Sequence, residues 1–178
     1  MTAGPSYPDM LREELGGYVD DLALTDMQKR FLRGRWLDQV AWMEGKAAQA
    51  QKRYYRLRLA TVIGAVLVPA LVSLQTLDPD LERAAQVLSV LVSLVVAVSA
   101  AIEQFFDFGG RWQHYRRTVE QLKTEGWSFM QLSGRYAEVA THAAAYGTFA
   151  DRVEHIIQSD VEVFVTEVVG KDEGDKPG

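Results

Sequence analysis

Apolar residues in this chain form three stripes with helical spacing, interrupted by two stretches in which almost every position is apolar. In the first stripe, Leu32, Trp36, Val40, Met43, Ala47, Ala50 and Tyr54 recur at steps of three and four, the mark of one helix face. Thr25 or Asp26 is the natural N-cap, and no proline interrupts the segment. The pattern therefore predicts a helix over 26–58 that is continuous with the apolar run following it. That run, 59–77 (LATVIGAVLVPALVSLQTL), has 19 residues and no formal charge, as does a second run over 84–102 (AAQVLSVLVSLVVAVSAAI). As a helix each spans ~28 Å, close to the hydrocarbon thickness of a bilayer. Only 78–83 joins them, so the two helices are antiparallel neighbours. Beyond them, Gly109-Gly110 predicts a break. Trp112, Tyr115, Val119, Leu122, Gly126, Phe129 and Ser133 trace the next stripe, which Ser133-Gly134 ends. The alanine-containing segment 135–146 is predicted helical. The last amphipathic helix carries Phe149, Val153, Ile156, Ile157, Val161, Phe164 and Val168.

These elements predict an all-α membrane protein, a two-helix transmembrane hairpin with a cytoplasmic helical bundle, assembled as a homo-oligomer. The expected organisation is an acidic N-terminal segment over 1–25, the basic and aromatic helix 26–58 and membrane helices 59–77 and 84–102 around an acidic external loop 78–83. Cytoplasmic helices over 103–169 and a disordered tail 170–178 complete it. The competing reading is a soluble bundle with two buried helices, since a core helix is also apolar all round. Neither run is a signal peptide: the first 25 residues carry six charged side chains and no apolar core.

Charge placement gives the hairpin an orientation. From Lys29 to Arg58 there are nine Lys or Arg against Asp38 and Glu44, and Arg111, Arg116, Arg117 and Lys123 follow the second run. The loop has only Arg83 against Asp78, Asp80 and Glu82. Lys and Arg in short flanks mark the cytoplasmic side, so both termini are expected there, in a multi-pass protein of the inner (plasma) membrane. Tyr54 and Tyr55 before the first run, and Phe105, Phe106 and Phe108 after the second, fall at the same boundary, with core packing the equal alternative for Phe105 and Phe106. The acidic stretches 9–26 and 149–178 each sum to −5 and read mainly as solvated faces. The net charge of the chain is −5, which argues against nucleic acid as a partner.

The search for reactive groups is negative. With no cysteine, disulfides, thiolate metal sites and a cysteine nucleophile are excluded. His114, His142 and His155 lack helical metal-pair spacing, and no phosphate-binding or nucleophile-elbow motif is present. Glu120, Lys123 and Glu125 read as a solvated face. The expectation is a protein that is not an enzyme and has no cofactor or metal.

The informative polar residues lie within the apolar runs. Gln86, Ser89, Ser93, Val96, Ala100 and Glu103 follow one another at steps of three and four along the second run. Polar groups avoid lipid, so this stripe faces other helices or water. One reading is close packing, with hydroxyls bonded back to the preceding turn. The other is a water-filled path surrounded by several copies of this helix. Glu103 and Asp107 would then form carboxylate rings at the inner mouth, and Asp78, Asp80 and Glu82 at the outer; such rings concentrate cations. A single hairpin cannot enclose a path, so this reading requires self-association, with four or five subunits leaving room for a narrow one. Pro69, midway along the first run, is a hinge or static-kink candidate.

The order of a basic and aromatic helix (RGRWLDQVAWMEGKAAQAQKRYYRLRL), two membrane runs and EQFFDFGGRWQHYRRTVEQLKTEGWSFMQLSGRYA resembles the SLATT family, the SMODS- and SLOG-associating two-transmembrane effector domains. Within it, the chain is most similar to a subgroup catalogued as a bacterial domain of unknown function. The resemblance covers roughly 26–168 and rests on Trp36, Trp42, Tyr54, Tyr55, Trp112, Tyr115, Arg116, Glu120, Leu122, Lys123, Glu125, Trp127 and Tyr136. It implies a two-helix membrane core and a role in pore formation or membrane perturbation, often as an effector in bacterial conflict systems. The functional expectation is a homo-oligomeric, cation-permeable pore lined by the second membrane helix, with the bilayer, further copies of the chain and the permeating cation as partners. The alternative is a non-conducting scaffold, or a conflict-system effector that recruits a partner or perturbs the membrane.

Overall fold

The computed structural model describes residues 4, 6–75 and 82–174, with side chains at 4, 6–74 and 82–162. Its elements are α1 (Tyr7–Asp21), α2 (Asp26–Phe31), a π-helical stretch (Leu32–Leu37), α3 (Asp38–Gln75), α4 (Glu82–Phe106), α5 (Phe108–Met130), a 3-10 turn (Gly134–Tyr136) and α6 (His142–Gly174). There is no strand among the described residues.

Local chemistry explains most of the boundaries. Thr25 caps α2 through a reciprocal box: its Oγ1 accepts from the Gln28 N–H at 3.4 Å, and Gln28 Oε1 accepts from the Thr25 N–H at 2.9 Å. The helix widens into a π turn at Leu32 and then continues, so the run from Asp26 to Leu74 is helical throughout. The 1–25 segment, read only as acidic, contains α1; Pro8 sits in its first turn, where a missing N–H costs nothing. Leu15 and Val19, four apart, are the buried positions that signal it.

Two boundaries differ from expectation. The break after the second apolar run falls on Asp107 rather than Gly109-Gly110, which lie in the first turn of α5. Asp107 adopts φ 45°, a left-handed conformation that Asp tolerates better than most residues, and its Oδ1 accepts from the Gly110 N–H at 3.1 Å. Residues 135–141 are not α-helical: Leu132 and Gly134 both have positive φ, and the chain makes a single 3-10 turn that carries Tyr136 into the core. α6 starts at His142, where Thr141 Oγ1 accepts from the Ala144 N–H at 3.3 Å. It remains helical through Gly174, and the rest of the expected tail, 175–178, lies outside the described residues.

The chain divides into two compact units, Met1–Lys46 with His114–Gly178, and Ala47–Gln113. The first, the helical unit, contains the hydrophobic core, with Trp36 at its centre. Trp36 is fully buried, and its Nε1 donates to the Leu122 carbonyl at 2.9 Å, which satisfies the only polar atom of its side chain. It meets Phe149 edge-on with centroids 5.9 Å apart; Phe149 stacks on Phe129 at 4.4 Å, and Phe129 contacts Tyr136 at 5.8 Å. Val40, Met43, Val119, Leu122 and Val153 close around these rings. Gly126 makes the approach possible, because a Cβ there would lie 2.0 Å from Trp36 Cζ2.

The second unit pairs the membrane-length part of α3 with α4. Gly64 packs under Val96, where a Cβ would lie 2.1 Å from Val96 Cγ2, and Gly109 lies beside Tyr54, so the helices run antiparallel. Both are long and apolar enough to cross a membrane, and only 6% and 17% of their most apolar stretches are buried within the chain. Leu59, Val66, Val90 and Leu94 are all more than half exposed. A buried core helix of a soluble bundle would be covered on most sides, and these are not.

Gly126→Ala is expected to destabilise the helical unit by about 1–3 kcal/mol, because the indole must move. Gly17→Ala, whose Cβ meets nothing within 4 Å, is expected to be neutral or stabilising. Thermal unfolding of the detergent-solubilised protein, followed by circular dichroism, checks the pair; equal midpoints would contradict the packing described.

Candidate functional site

The stripe anticipated on α4 is divided by the fold. Ser89 is buried and Val96 and Glu103 are half-buried, on the side of α4 that also carries buried Ala85 and Ser99. Gln86, Ser93 and Ala100 are exposed. With Val90, Ala97 and Gln104, also exposed, they form a second stripe at steps of four and three. Ala97 and Gln104 are absent from the stripe read in the sequence. Their signal there is the same heptad spacing displaced by one position, which pattern alone cannot choose between.

Three hydroxyls within the apolar helices bond locally. Thr61 Oγ1 donates to the Leu57 carbonyl at 3.0 Å, Ser73 Oγ to the Pro69 carbonyl at 2.9 Å and Ser89 Oγ to the Gln86 carbonyl at 2.9 Å. Such back-bonding satisfies a hydroxyl inside an apolar environment. Pro69 is exposed and lies within an uninterrupted α3.

At one end of the hairpin, Glu103 is half-buried, with Oε1 3.6 Å from the position of a Cβ on Gly109. Asp107 lies in the left-handed turn, one carboxylate oxygen engaged by Gly110. At the other end, Glu82 opens α4 and is exposed, where a carboxylate suits the helix dipole. Asp78 and Asp80 lie outside the described residues. Tyr54, Tyr55 and Trp112 cluster near Glu103, with Tyr54 stacked on Trp112 at 6.4 Å and Tyr55 tilted against it at 6.0 Å. Phe106 stacks on Phe108 at 5.4 Å, and the Arg53 guanidinium lies 5.6 Å from the Phe108 ring centroid. Phe105 is 81% exposed, so it is not core within the chain.

The helical unit contains charged groups that pattern reading misplaced. Of the presumed solvated face, Glu120 is exposed, but Glu125 is buried and the Lys123 side chain is only 12% exposed. Lys123 Nζ donates to the buried Glu44 carboxylate at 2.9 Å, and Arg116 bonds its other oxygen at 2.7 Å. Burial of the Lys123 ammonium pushes its pKa down, but the bond and attraction to Glu44 outweigh this and the net shift is upward. Glu125 accepts from the Tyr136 hydroxyl at 2.5 Å and is flanked by Arg135 at 3.4 Å and Arg152 at 3.8 Å. Burial, then the bond to this carboxylate, raises the Tyr136 phenol far above its ordinary value. Glu44 lies 72 and 79 residues from its partners, so no local spacing reveals the cluster. The acidic ends pair in part with the basic stretch: Asp20 with Arg33, and Glu154 with Arg35 at 2.7 Å.

Of the histidines, His114 Nε2 lies 2.9 Å from Asp160 Oδ1, which also accepts from Thr118 Oγ1 at 2.6 Å, and His142 Nε2 is 3.0 Å from the Met130 carbonyl. His155 is exposed. No group of three or more His, Asp or Glu among the described residues is arranged to hold a metal ion. These contacts tie helices together; they do not place a nucleophile beside a base.

Glu44→Gln leaves Arg116 and Lys123 without their shared anion. Removing one partner of a fully buried pair costs ~3–5 kcal/mol. Because the Arg116 side chain is 49% exposed, a smaller loss is expected here, about 2 kcal/mol. An unchanged unfolding midpoint would contradict the role given to this carboxylate. The Arg35 bond holds the Glu154 carboxyl below its ordinary 4.5. That stabilisation is complete above pH 4.5 and is lost as pH falls through the lower folded value. Glu154→Gln should therefore flatten the acid limb of a melting-temperature profile below pH 4.5; an unaltered limb would show the pair to be inconsequential.

Comparison with curated proteins and with solved structures finds no match. One family model matches, over residues 38–144, more than half of the chain and including both apolar helices and α5. On that match, the chain belongs to the family described as Protein of unknown function (DUF4231).

Proposed function

We propose that the chain is one subunit of a homo-oligomeric membrane pore, permeable to cations and lined by α4. The observation that carries this reading is the uncovered stripe of Gln86, Ser93, Ala97, Ala100 and Gln104 on a membrane-length helix. Carboxamides and hydroxyls facing lipid are costly, so this stripe turns toward other copies or toward water. In the assembly Gln86, Ser93 and Ala100 line the path together with Ala97 and Gln104, and Ser89 and Val96 support it from the side of α3. Glu103 stands at the inner mouth, where a ring of carboxylates concentrates cations. The two apolar helices lie in the bacterial plasma membrane with both chain termini in the cytoplasm, as the surplus of Lys and Arg at one end of the hairpin supports. No catalytic chemistry is assigned to the chain.

A second reading is favoured by the small residues themselves. Ala97, Ala100 and Ser93 also permit close helix contact with no path between copies. The assembly would then be a non-conducting scaffold or a conflict-system effector, in keeping with the SLATT resemblance.

Cation flux through proteoliposomes containing the pure protein separates the two. Flux above that of empty vesicles is expected, and Glu103→Lys should shift the reversal potential toward anion permeability. Absence of flux across the voltages and pH values tested would overturn the pore; an unchanged reversal potential would remove Glu103 from the pathway.

A further inference from the structure

Carboxylates accompany most cations of the helical unit but not the basic run of the hairpin unit. In the helical unit, Arg12, Arg33, Arg35, Arg116, Lys123, Arg135 and Arg152 each have a carboxylate within 4.0 Å. In the hairpin unit, Lys52, Arg53, Arg56 and Arg58 have none among the described residues, although four cations within seven positions repel one another. All four are exposed. Four exposed cations so close together, with no described carboxylate of their own, offer a site to an external anion.

Two clefts in the hairpin unit say what kind. The first, about 350 Å³, runs along α3 and is lined by Gln51, Lys52, Tyr55, Arg56 and Leu59. Tyr55 is positioned there by its contacts with Tyr54 and Trp112. The second, about 300 Å³, lies between α3 and α4 and is lined by Ala60, Ile63, Gly64, Leu67, Leu91 and Val95, all apolar. They adjoin along one flank of α3, on which Lys52, Arg56, Ile63 and Leu67 follow one another, the second cleft being turned further toward α4. From Arg56 to Leu67 the helix rises ~16 Å, about half of a ~30 Å hydrocarbon core. Gly64 keeps the second cleft shallow and close to Val96, whereas a larger residue there would collide with α4.

We infer that these adjoining clefts bind one anionic phospholipid of the inner leaflet, its phosphate on Lys52 and Arg56 and one acyl chain along Ile63 and Leu67. The order of polarity along the face is that of the lipid, and its vertical extent is that of one leaflet. Charge selects this occupant over a second copy of the hairpin, whose described carboxylates are Glu82, Glu103 and Asp107, the latter two half-buried. The inference rests on the reading that the two apolar helices lie in a bilayer.

The test is native mass spectrometry of the full chain in detergent, titrated with phosphatidylglycerol and, separately, with phosphatidylcholine. One phosphatidylglycerol per subunit should be retained, at least about tenfold more tightly than phosphatidylcholine. Lys52→Ala with Arg56→Ala should weaken it roughly 25-fold, about fivefold for each cation, with elution volume and helicity unchanged. Arg117→Ala, on an exposed cation of the helical unit, should change nothing. Equal retention of the two lipids would overturn the proposal. So would displacement by glycerol 3-phosphate at equal concentration, which would reveal a site for free phosphate. Spontaneous cross-linking between copies carrying Ile63→Cys would also overturn it, by showing that a second hairpin fills the apolar cleft. Recovery of the protein in solution without detergent would instead remove the membrane reading on which the inference rests.

Discussion

The structure is organised by apolar surface that the chain itself does not cover. The 59–74 part of α3 and nearly all of α4 present leucine, valine and isoleucine on sides that no other element shields. Each exposed methylene in water costs about 0.8 kcal/mol, and two helices of this length carry dozens of them. On the reading proposed above, a bilayer, further copies of the chain or both take the place of water. The other features of the hairpin unit are consistent with that demand: backbone polar groups satisfied within helices, hydroxyls bonded to the preceding turn, a close contact at Gly64 and aromatic rings gathered at one end beside unpaired cations.

The helical unit follows soluble-protein rules. Trp36, Phe149, Phe129 and Tyr136 form a chain of ring contacts, made possible where Gly126 lacks a side chain. Around this core, buried carboxylates Glu44 and Glu125 take cations and a phenol from other elements, so that α3, α5, α6 and the turn at Tyr136 are joined by charge as well as by packing. Those contacts explain why Glu120, Lys123 and Glu125, which resemble an ordinary solvated run, divide between solvent and core.

What the sequence revealed and what it hid follow from the range of the interactions. Helices, the N-cap at Thr25 and the two membrane-length runs are local properties, visible in the sequence, and they appear in the structure close to the expected positions. The Asp107 break lay only two residues from Gly109-Gly110, because a carboxylate that can cap the next helix competes with glycine for the turn. The 3-10 turn at Tyr136 was not legible: its cause is the burial of one ring against Phe129, a tertiary contact. The Glu44 cluster was hidden for the same reason. On α4, spacing identified a polar stripe but could not assign which of two adjacent heptad positions packs against α3. Only the pairing of Gly64 with Val96 separates Ser89 and Val96 from Gln86, Ser93 and Ala100.

The central proposal is that the two apolar helices lie within a membrane, with Arg30 exposed to the cytoplasm. A chain without cysteine lends itself to a direct measurement, because each introduced thiol is the only one present. Single cysteines at Val66 and Leu94 should resist a membrane-impermeant maleimide in intact and in opened cells alike. One at Arg30, in the helical unit, should react only after the cells are opened. Rapid labelling at Val66 and Leu94 in aqueous buffer, or labelling at Arg30 in sealed cells, would contradict the account.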